Sequence, residues 1–282
     1  MGKADLHIHT NASDGAFAPA DVVAKAKEKG LESISITDHD TIAGYVKAGV
    51  AAKDAGLELI PGVELSCSWR DREIHLLAYA FDPEHPAITG LLARQRKARI
   101  LRMKRITEKL AKEGIDINYD EVAAEANGAN IGRPHAARVL ISKGVVASVQ
   151  EAFIRYLSNE KLTGDAIEFV SLSEAIEAVR AACGVTSLAH PGAMYTAAEI
   201  DALTREGIDG IETIHPSHNF SMQRLLARHA EKQELLCTGG SDFHGVGKPD
   251  YDPFFGIVTL GTQHVASLKQ LAQRRRALSP EL

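Results

Sequence analysis

Cysteine is scarce in this 282-residue chain, and the three present, Cys67, Cys183 and Cys237, are odd in number and share no CxxC spacing. That excludes a disulfide framework and a thiolate metal site, and fits buried thiols in a reducing compartment. No apolar run approaches the roughly eighteen residues of a membrane helix. The polar opening Met1-Gly2-Lys3-Ala4-Asp5 has no apolar signal region, so the expectation is a cytoplasmic protein without a membrane role. Neither sign of charge dominates. With 32 Lys+Arg against 37 Asp+Glu the net charge is −5, which gives no global footprint for nucleic acid and makes any such binding local. Internal repeats and low-complexity segments are absent. A hydrophobic fraction of 45% with 24% charged residues excludes disorder and collagen-like structure and allows a full core.

What the chain has in quantity is histidine, twelve in all, and six of them (His7, His9, His39, His75, His190, His244) lie among apolar or small residues. The first eighty residues alternate strand and helix signals. Asp5 to Thr10 is a strand candidate, and Pro19 starts an amphipathic helix that stops at Gly30, with Val22, Val23 and Ala26 as its apolar positions. Leu31–Thr37 alternates as a strand does. Asp40 or Thr41 can cap a helix ending near Gly56, Leu57–Val63 is a buried strand broken by Pro61-Gly62, and another runs from Glu73 to about Phe81. Strands separated by helices predict βαβ units and a parallel sheet or barrel. From about Pro86 to Val170 helical signals dominate. Arg94–Lys109 is a basic amphipathic helix whose Leu92, Arg96, Arg99, Met103, Ile106 and Leu110 follow helical spacing. Its basic residues read either as a solvated face or as a mouth that steers polyanions. Ser171-Leu172-Ser173-Glu174 is a capping box before a helix ending at Gly184. Strand candidates follow at Val185–Ala189, Ile208–Thr213, Leu235–Thr238 and Phe255–Leu260. The domain reading is therefore 1–85 with 171–282 as one unit, and 86–170 as an inserted helical subdomain.

His7 and His9, two apart on a strand, project from one face and can bind one ion together. Alone that spacing is weak. Asp14 sits in a Ser/Gly loop, His39 stands between Asp38 and Asp40, and Glu64 directly follows a buried apolar segment where an unpaired carboxylate is costly. His75, His190 and the pair Asp242/His244 complete the set. Taken together, these groups are expected at or just past the C-terminal ends of separate strands, where parallel α/β proteins build active sites. Imidazole with carboxylate and no thiolate suits Mn, Fe or Zn. Nine ligands with one bridging carboxylate suffice for three divalent ions. These outweigh Asp14, Glu64 and Asp242 and leave a basin that favours an anion, phosphate above all.

The ordered motifs Asp5-Leu6-His7-Ile8-His9, Ser13-Asp14-Gly15, Ile36-Thr37-Asp38-His39-Asp40, Gly62-Val63-Glu64, Ile74-His75, Ala189-His190-Pro191 and Gly240-Ser241-Asp242-Phe243-His244 resemble those of PHP-domain metal-dependent phosphoesterases. The insertion, with Gly132-Arg133-Pro134-His135 and the basic helix, resembles the branch acting on 3′,5′-nucleoside bisphosphates and short RNA 5′ ends. The resemblance implies an α/β fold, a distorted (β/α)7 barrel with an inserted helical subdomain, and three divalent ions (Mn, Fe or Zn). It implies one metal on His7, His9, Glu64 and Asp242, a second on Glu64, His75 and His190, and a third on Asp14, His39 and His244. It also implies hydrolysis of phosphate monoesters by a metal-bridging hydroxide. Arg133 and His135 are candidates for gripping a substrate phosphate. His218 is a candidate for protonating the leaving oxygen, with Arg133 and Asp242 counted beside it as catalytic. Glu212 either faces the pocket or is a solvated strand end, and Trp69 either stacks a base or covers the core. Close relatives often carry Gly-Arg after Ala-His-Pro, where this chain has Gly192-Ala193-Met194, and a Gly-Lys-Pro-like stretch where it has Ser158-Asn159-Glu160-Lys161-Leu162.

The expected ligand is a phosphorylated small molecule, a nucleotide or short RNA, with no obligate protein partner. Rival readings are a histidinol-phosphate-type phosphatase, a metal-dependent amidohydrolase and a non-catalytic PHP module. An amidohydrolase leaves Asp14, the Thr37-Asp38-His39 strand and His244 without a role. A non-catalytic module leaves nine buried polar ligands without a reason.

Overall fold

The computed structural model describes residues 2–70, 72–158, 161–162, 169–192, 194–245 and 252–278; Asn159, Glu160 and Ala193 lie outside them. Strand β1 (Lys3–Ile8) leads to α1 (Pro19–Glu28), which carries proline in its first turn and buries Val22, Val23 and Ala26 as the periodicity predicts. Then come β2 (Ser33–Ile36) and α2 (Ala43–Ala55), the latter stopped by Gly56 in the left-handed conformation at φ 59°. Ile42 is the N-cap residue and makes no side-chain cap bond; of the two expected caps, Thr41 Oγ1 accepts from the Ala43 amide at 3.2 Å. Asp40 is used elsewhere, as described below.

Pro61-Gly62 does more than break a strand. It separates β3 (Glu58–Ile60) from β4 (Gly62–Trp69), and the two belong to different sheets. Among the described residues one sheet has the order β3-β2-β1-β9, with β9 (Leu260–Gly261) antiparallel to β1. The other has the order β4-β5-β6-β7-β8, built from β4, β5 (Arg72–Tyr79), β6 (Val185–Leu188), β7 (Gly210–Ile214) and β8 (Leu236–Gly239). Single bridges Ile8↔Phe243 and His39↔Glu64 link the sheets at two places. The expected all-parallel arrangement holds for β1-β2-β3 and β6-β7-β8, but β4/β5 and β5/β6 are antiparallel. Only a few residues separate β4 from β5, and a parallel pairing needs a crossover of a dozen or more. Glu64 and His75 consequently sit inside a hairpin rather than at strand ends, contrary to the expectation for Glu64. The strand expected at Phe255–Leu260 is largely turn, with Gly256 at φ 73° and Phe255 packed on Phe243.

Between β5 and β6 the chain is helical: α3 (Pro86–Lys112), α4 (Tyr119–Ala126), α5 (Arg133–Ser142), α6 (Val149–Ala152) and, after a π-turn over Phe153–Leu157, α7 (Leu172–Ala181). The Ser171/Glu174 capping box forms at α7 as expected. Helices α8 (Ala197–Arg205), α9 (Phe220–Lys232) and α10 (Thr262–Leu278) flank the second half. Helices α3 to α6 share their own apolar cluster, including Met103, Ile106, Leu110, Val122, Ala136 and Leu140. Cys67 and Cys183 are buried free thiols, and Cys237 is a half-buried one. No helix of the described residues is long and apolar enough to cross a membrane.

The basic helix α3 is not simply a solvated face. Its outer Arg94, Arg96 and Lys97 are exposed, but Arg99 and Gln95 are buried. The Arg99 guanidinium donates to Asp40 at 2.6 Å through Nε and to Ser66 Oγ at 2.7 Å through Nη2, while Asp40 also accepts from the Ser66 amide at 2.8 Å. This network clamps α3 onto β4 beside the site. Removing one partner of a buried ion pair strands the other charge in low dielectric. Arg99→Met is therefore expected to lower unfolding free energy by about 3–5 kcal/mol in denaturant titration. A loss below about 1 kcal/mol, the range of exposed pairs, would contradict the buried-clamp reading.

Candidate metal centre

Seven imidazoles and three carboxylates converge where the two sheets meet. His7 lies in β1 and His9 one residue beyond it, with ring centroids 5.2 Å apart. Loop 10–15 brings Asp14 to 3.6 Å from His9 Nδ1, 3.8 Å from His39 Nε2 and 3.4 Å from His244 Nε2. The loop is held by Asp38, which accepts from the Thr10 amide at 2.8 Å, Thr10 Oγ1 at 2.7 Å and Ser13 Oγ at 2.6 Å. Burial nonetheless pushes the Asp38 carboxyl up to about 6. Asp5 likewise accepts from the His7 and Ser241 amides and is raised to about 6 by burial, tying β1 to the segment that carries Asp242.

Glu64 stands at the centre with 1% exposure. Its Oε1 faces His75 Nδ1 at 2.9 Å and His190 Nε2 at 3.0 Å; its Oε2 faces His7 Nε2 at 3.4 Å, His9 Nε2 at 3.2 Å and His39 Nδ1 at 3.2 Å. The two oxygens of one carboxylate thus address two separate imidazole groups. Asp242 Oδ1 completes one side, 3.4 Å from His7 Nε2 and 3.3 Å from His9 Nε2. Asp40, His190 and Asp242 all have positive φ (50°, 28° and 50°), backbone strain of the kind held at functional sites.

Whether metal fits can be judged from the donors themselves. Among the described residues, His7 Nε2, both nitrogens of His9 and His39 Nδ1 are buried yet make no hydrogen bond, although each has a carboxylate oxygen within 3.6 Å. Buried polar atoms are normally satisfied, so a whole set left open and pointing inward is what a cation completes. Four groups have ligand atoms within 4.8 Å of one another: His9/Asp14/His39/His244, His7/His9/Glu64, His39/Glu64/His75 and His7/His215/Asp242. All nine residues expected from the sequence as ligands are brought together. The arrangement suits divalent cations.

Glu212 is not a solvated strand end but is buried, with 0% exposure. Its Oε1 meets His7 Nδ1 at 2.9 Å and its Oε2 accepts from the His190 amide at 2.6 Å, which fixes the His7 ring so that Nε2 faces inward. His218 is braced at both nitrogens: Nδ1 is 3.1 Å from the Thr213 carbonyl, and Nε2 accepts from the Gly192 amide at 2.9 Å. Burial holds it below the usual imidazole range. In this state its ring positions the loop after His190 and holds no spare proton. His135 accepts from the Gly132 amide at 3.1 Å and caps α5, apart from the Arg133 guanidinium. Trp69 is buried, donates to Glu206 at 3.2 Å and covers the core.

Arg133 lies in a small cavity of about 180 Å³ with Asp14, His39, His75, Arg99, Arg102 and Glu73. It donates to Glu73 Oε2 at 3.2 Å, and Arg102 meets the same carboxylate at 3.1 and 3.0 Å. Burial and the neighbouring Arg102 and Arg99 lower the Arg133 guanidinium to about 10. A wider cavity of about 1150 Å³ shares Ser13, Asp14, Asn130, Pro134 and Phe153 with it, and adds Lys47, Leu92, Arg96 and Ile141.

Sequence reasoning missed His215, Asp5, Glu73 and Arg102 as site-shaping residues. His215 Nε2 is 3.5 Å from Asp242 Oδ2, and its signal was available: Ile214-His215-Pro216 repeats the strand-end pattern of Ala189-His190-Pro191. Glu73 and Arg102 carry no such signal, because their pairing spans 29 residues and two elements.

Residues 5–158 match the PHP domain family. The chain is 39% identical over 248 residues to a 5′-3′ exoribonuclease of Haemophilus influenzae, covering 86% of this chain and 90% of that protein. It is 31% identical over 258 residues to a 3′,5′-nucleoside bisphosphate phosphatase of Chromobacterium violaceum, covering 89% and 90%. A crystal structure of a protein designated a metal-dependent phosphoesterase, from Bifidobacterium adolescentis, superposes with a TM-score of 0.86 at 34% identity, over 95% of this chain and 96% of that one. The chain belongs to the PHP domain family. It is a metal-dependent phosphoesterase, a hydrolase requiring a divalent cation.

Proposed function

We propose that this enzyme removes the 3′-phosphate of nucleoside 3′,5′-bisphosphates and also acts on short 5′-phosphorylated RNA. The observation that carries this is the pair Arg102 and Arg133 in the same small cavity as Asp14, His39 and His75. A guanidinium pair one side chain away from the carboxylate–imidazole basin offers a place for a second anionic group, beside the one being hydrolysed. The adjoining wider cavity has room for a nucleoside, with apolar Leu92, Ile141 and Phe153 and basic Lys47 and Arg96 on its walls. Relatives bearing nucleotide- and RNA-directed names support the same reading.

In this reading three divalent ions (Mn, Fe or Zn) are held by His7, His9, Glu64 and Asp242; by Glu64, His75 and His190; and by Asp14, His39 and His244. Bound there, they supply Lewis-acid charge for the phosphoryl oxygens and a water nucleophile active at neutral pH. The protein's own residues do the positioning. Glu64 sets the spacing of the basin through its two oxygens, Glu212 holds the His7 ring, and Arg133 with Arg102 orients the second anion. His218 protonates the leaving oxygen only after giving up the Thr213 contact, which frees its Nδ1–H. The two sheets together form the distorted (β/α)7 barrel from residues 1–85 and 171–282, with 86–170 as the inserted helical unit that walls the nucleotide side. The working compartment is the cytoplasm.

The test is phosphate release by the Mn²⁺-loaded chain from adenosine 3′,5′-bisphosphate, with histidinol phosphate and a short 5′-phosphorylated RNA in parallel. Release from the bisphosphate, abolished by Asp14→Ala and by His244→Ala, is expected. A preference for histidinol phosphate would replace the nucleotide reading with the small-phosphatase one.

A further inference from the structure

Among the described residues, Glu73 is the one carboxylate that lines the small cavity without facing the metal basin's centre. It is the second residue of β5, and its side chain is 5% exposed. Glu64 meets His75 at Nδ1 (2.9 Å), whereas Glu73 lies nearest the opposite nitrogen, 3.8 Å from Nε2. The two carboxylates therefore flank one imidazole on opposite edges, and Glu73 belongs to the arginine side. There its Oε1 accepts from Arg102 Nη1, and its Oε2 accepts from Arg102 Nη2 and Arg133 Nη2. Two oxygens of one anion, forked onto one guanidinium and touched by a second, reproduce the hydrogen bonds that a phosphate would take from the same donors. The arginines are steadied independently of Glu73. Arg102 lies over the Phe169 ring at 5.2 Å; Arg133 lies over Phe153 at 5.5 Å and donates to the Leu157 carbonyl at 3.3 Å. The guanidiniums can thus stay in place while a glutamate, with three rotatable bonds, swings away.

We propose that Glu73 is a charge gate, an internal stand-in for the substrate's non-reacting phosphate that a dianionic phosphate displaces and a monoanionic phosphodiester does not. This rests on the reading that Arg102 and Arg133 receive a second anion. Glu73 carries one negative charge on two oxygens. A terminal phosphate carries up to two on three oxygens and wins the exchange, whereas a diester carries one and gains nothing over the resident carboxylate. Selection for terminal phosphates then comes from competition inside the pocket, not from the shape of its walls.

The test uses the Mn²⁺-loaded full chain, with adenosine 3′,5′-bisphosphate and its 5′-phosphate methyl ester, in which the non-reacting phosphate is a monoanion. In the wild type the ester is expected to have the higher KM. Glu73→Gln keeps the side chain's shape and removes its charge, and should lower KM for the ester about tenfold and bring the two substrates together. Arg102→Ala should raise KM for the bisphosphate about tenfold while leaving the ester less affected. If Glu73 merely buttresses the arginines, Glu73→Gln raises both KM values in parallel, and that result overturns the gate. Equal KM values in the wild type overturn it as well. Absence of phosphate release from either substrate by the wild type would instead sink the nucleotide reading, and the gate with it.

Discussion

Replacing Glu64 by alanine should cost upward of about a thousandfold in phosphate release, more than the loss of any single hydrogen-bonding group around it. Glu64 faces five imidazoles with its two side-chain oxygens, His75 and His190 on one side and His7, His9 and His39 on the other. Burial alone would raise its carboxyl; the surrounding imidazoles hold it well below the usual range, so it stays ionised as a ligand must be. Removing it leaves two groups of donors with nothing to fix their spacing. Elemental analysis of purified Glu64→Ala should show a loss of bound metal parallel to the loss of rate. A variant that kept full metal content and kcat would contradict a bridging role for this carboxylate. Glu64→Gln, which keeps the volume, separates this effect from cavity formation.

The second large effect concerns metal removal and pH. Without cations, the carboxylates draw protons onto several of the rings: against a burial penalty, His9 and His75 are raised to about 9 and His7 well above its ordinary value by Glu64, Asp242, Glu212 and Glu73. His39 and His190 move the other way, through burial and neighbouring imidazoles. For a histidine with a raised folded-state pKa, the stability gained is fully present below the unfolded value and is lost as pH rises through the folded value. The metal-free protein should therefore lose thermal stability between about pH 6.5 and 9. The Mn²⁺-loaded protein, whose donor rings are already neutral, should not lose stability in that window. Metal binding at pH 8 should correspondingly release protons, measurable by calorimetry in buffers of different ionisation enthalpy. Parallel melting curves for the two forms across this range would refute the account.

Much of the site was legible because its chemistry is written in short local motifs. His7 and His9 share a strand face by spacing alone, and Asp242 and His244 repeat the pattern after β8. The helices of the first half were equally readable, since Pro19 and Gly56 mark a start and a stop. What escaped is whatever depends on pairing across the chain. The β4/β5 hairpin reverses the direction expected of a βαβ series, and Glu64 with His75 consequently enters the basin from a sheet interior. The basic residues of α3 read either as a solvated face or as a mouth for polyanions, because Arg99 and Arg102 become structural only when Asp40 and Glu73 arrive from other elements. Asp38 reads as a carboxylate flanking His39 and Asp5 as a strand-start residue, yet each organises backbone amides that aim the ligands. A single sequence carries the identity of such groups but not their partners.

The basin also joins distant parts of the chain. His7 lies in β1 and His9 just beyond it, while Asp242 and His244 follow β8, and the Ile8↔Phe243 bridge and the Asp5 contacts hold those segments side by side. A cation shared by His7 and Asp242 would act as a cross-link closing a loop of more than two hundred residues, the kind of closure whose entropy is largest in an unfolded chain. Such a link ties the sheets together at the loop's ends, whereas the helices of 86–157, with their own apolar cluster, lie in the middle of the loop, far from the point of closure. Loading with metal should then change the order in which the molecule comes apart. The sheets become the last part to open, and the helical layer becomes the place where unfolding begins.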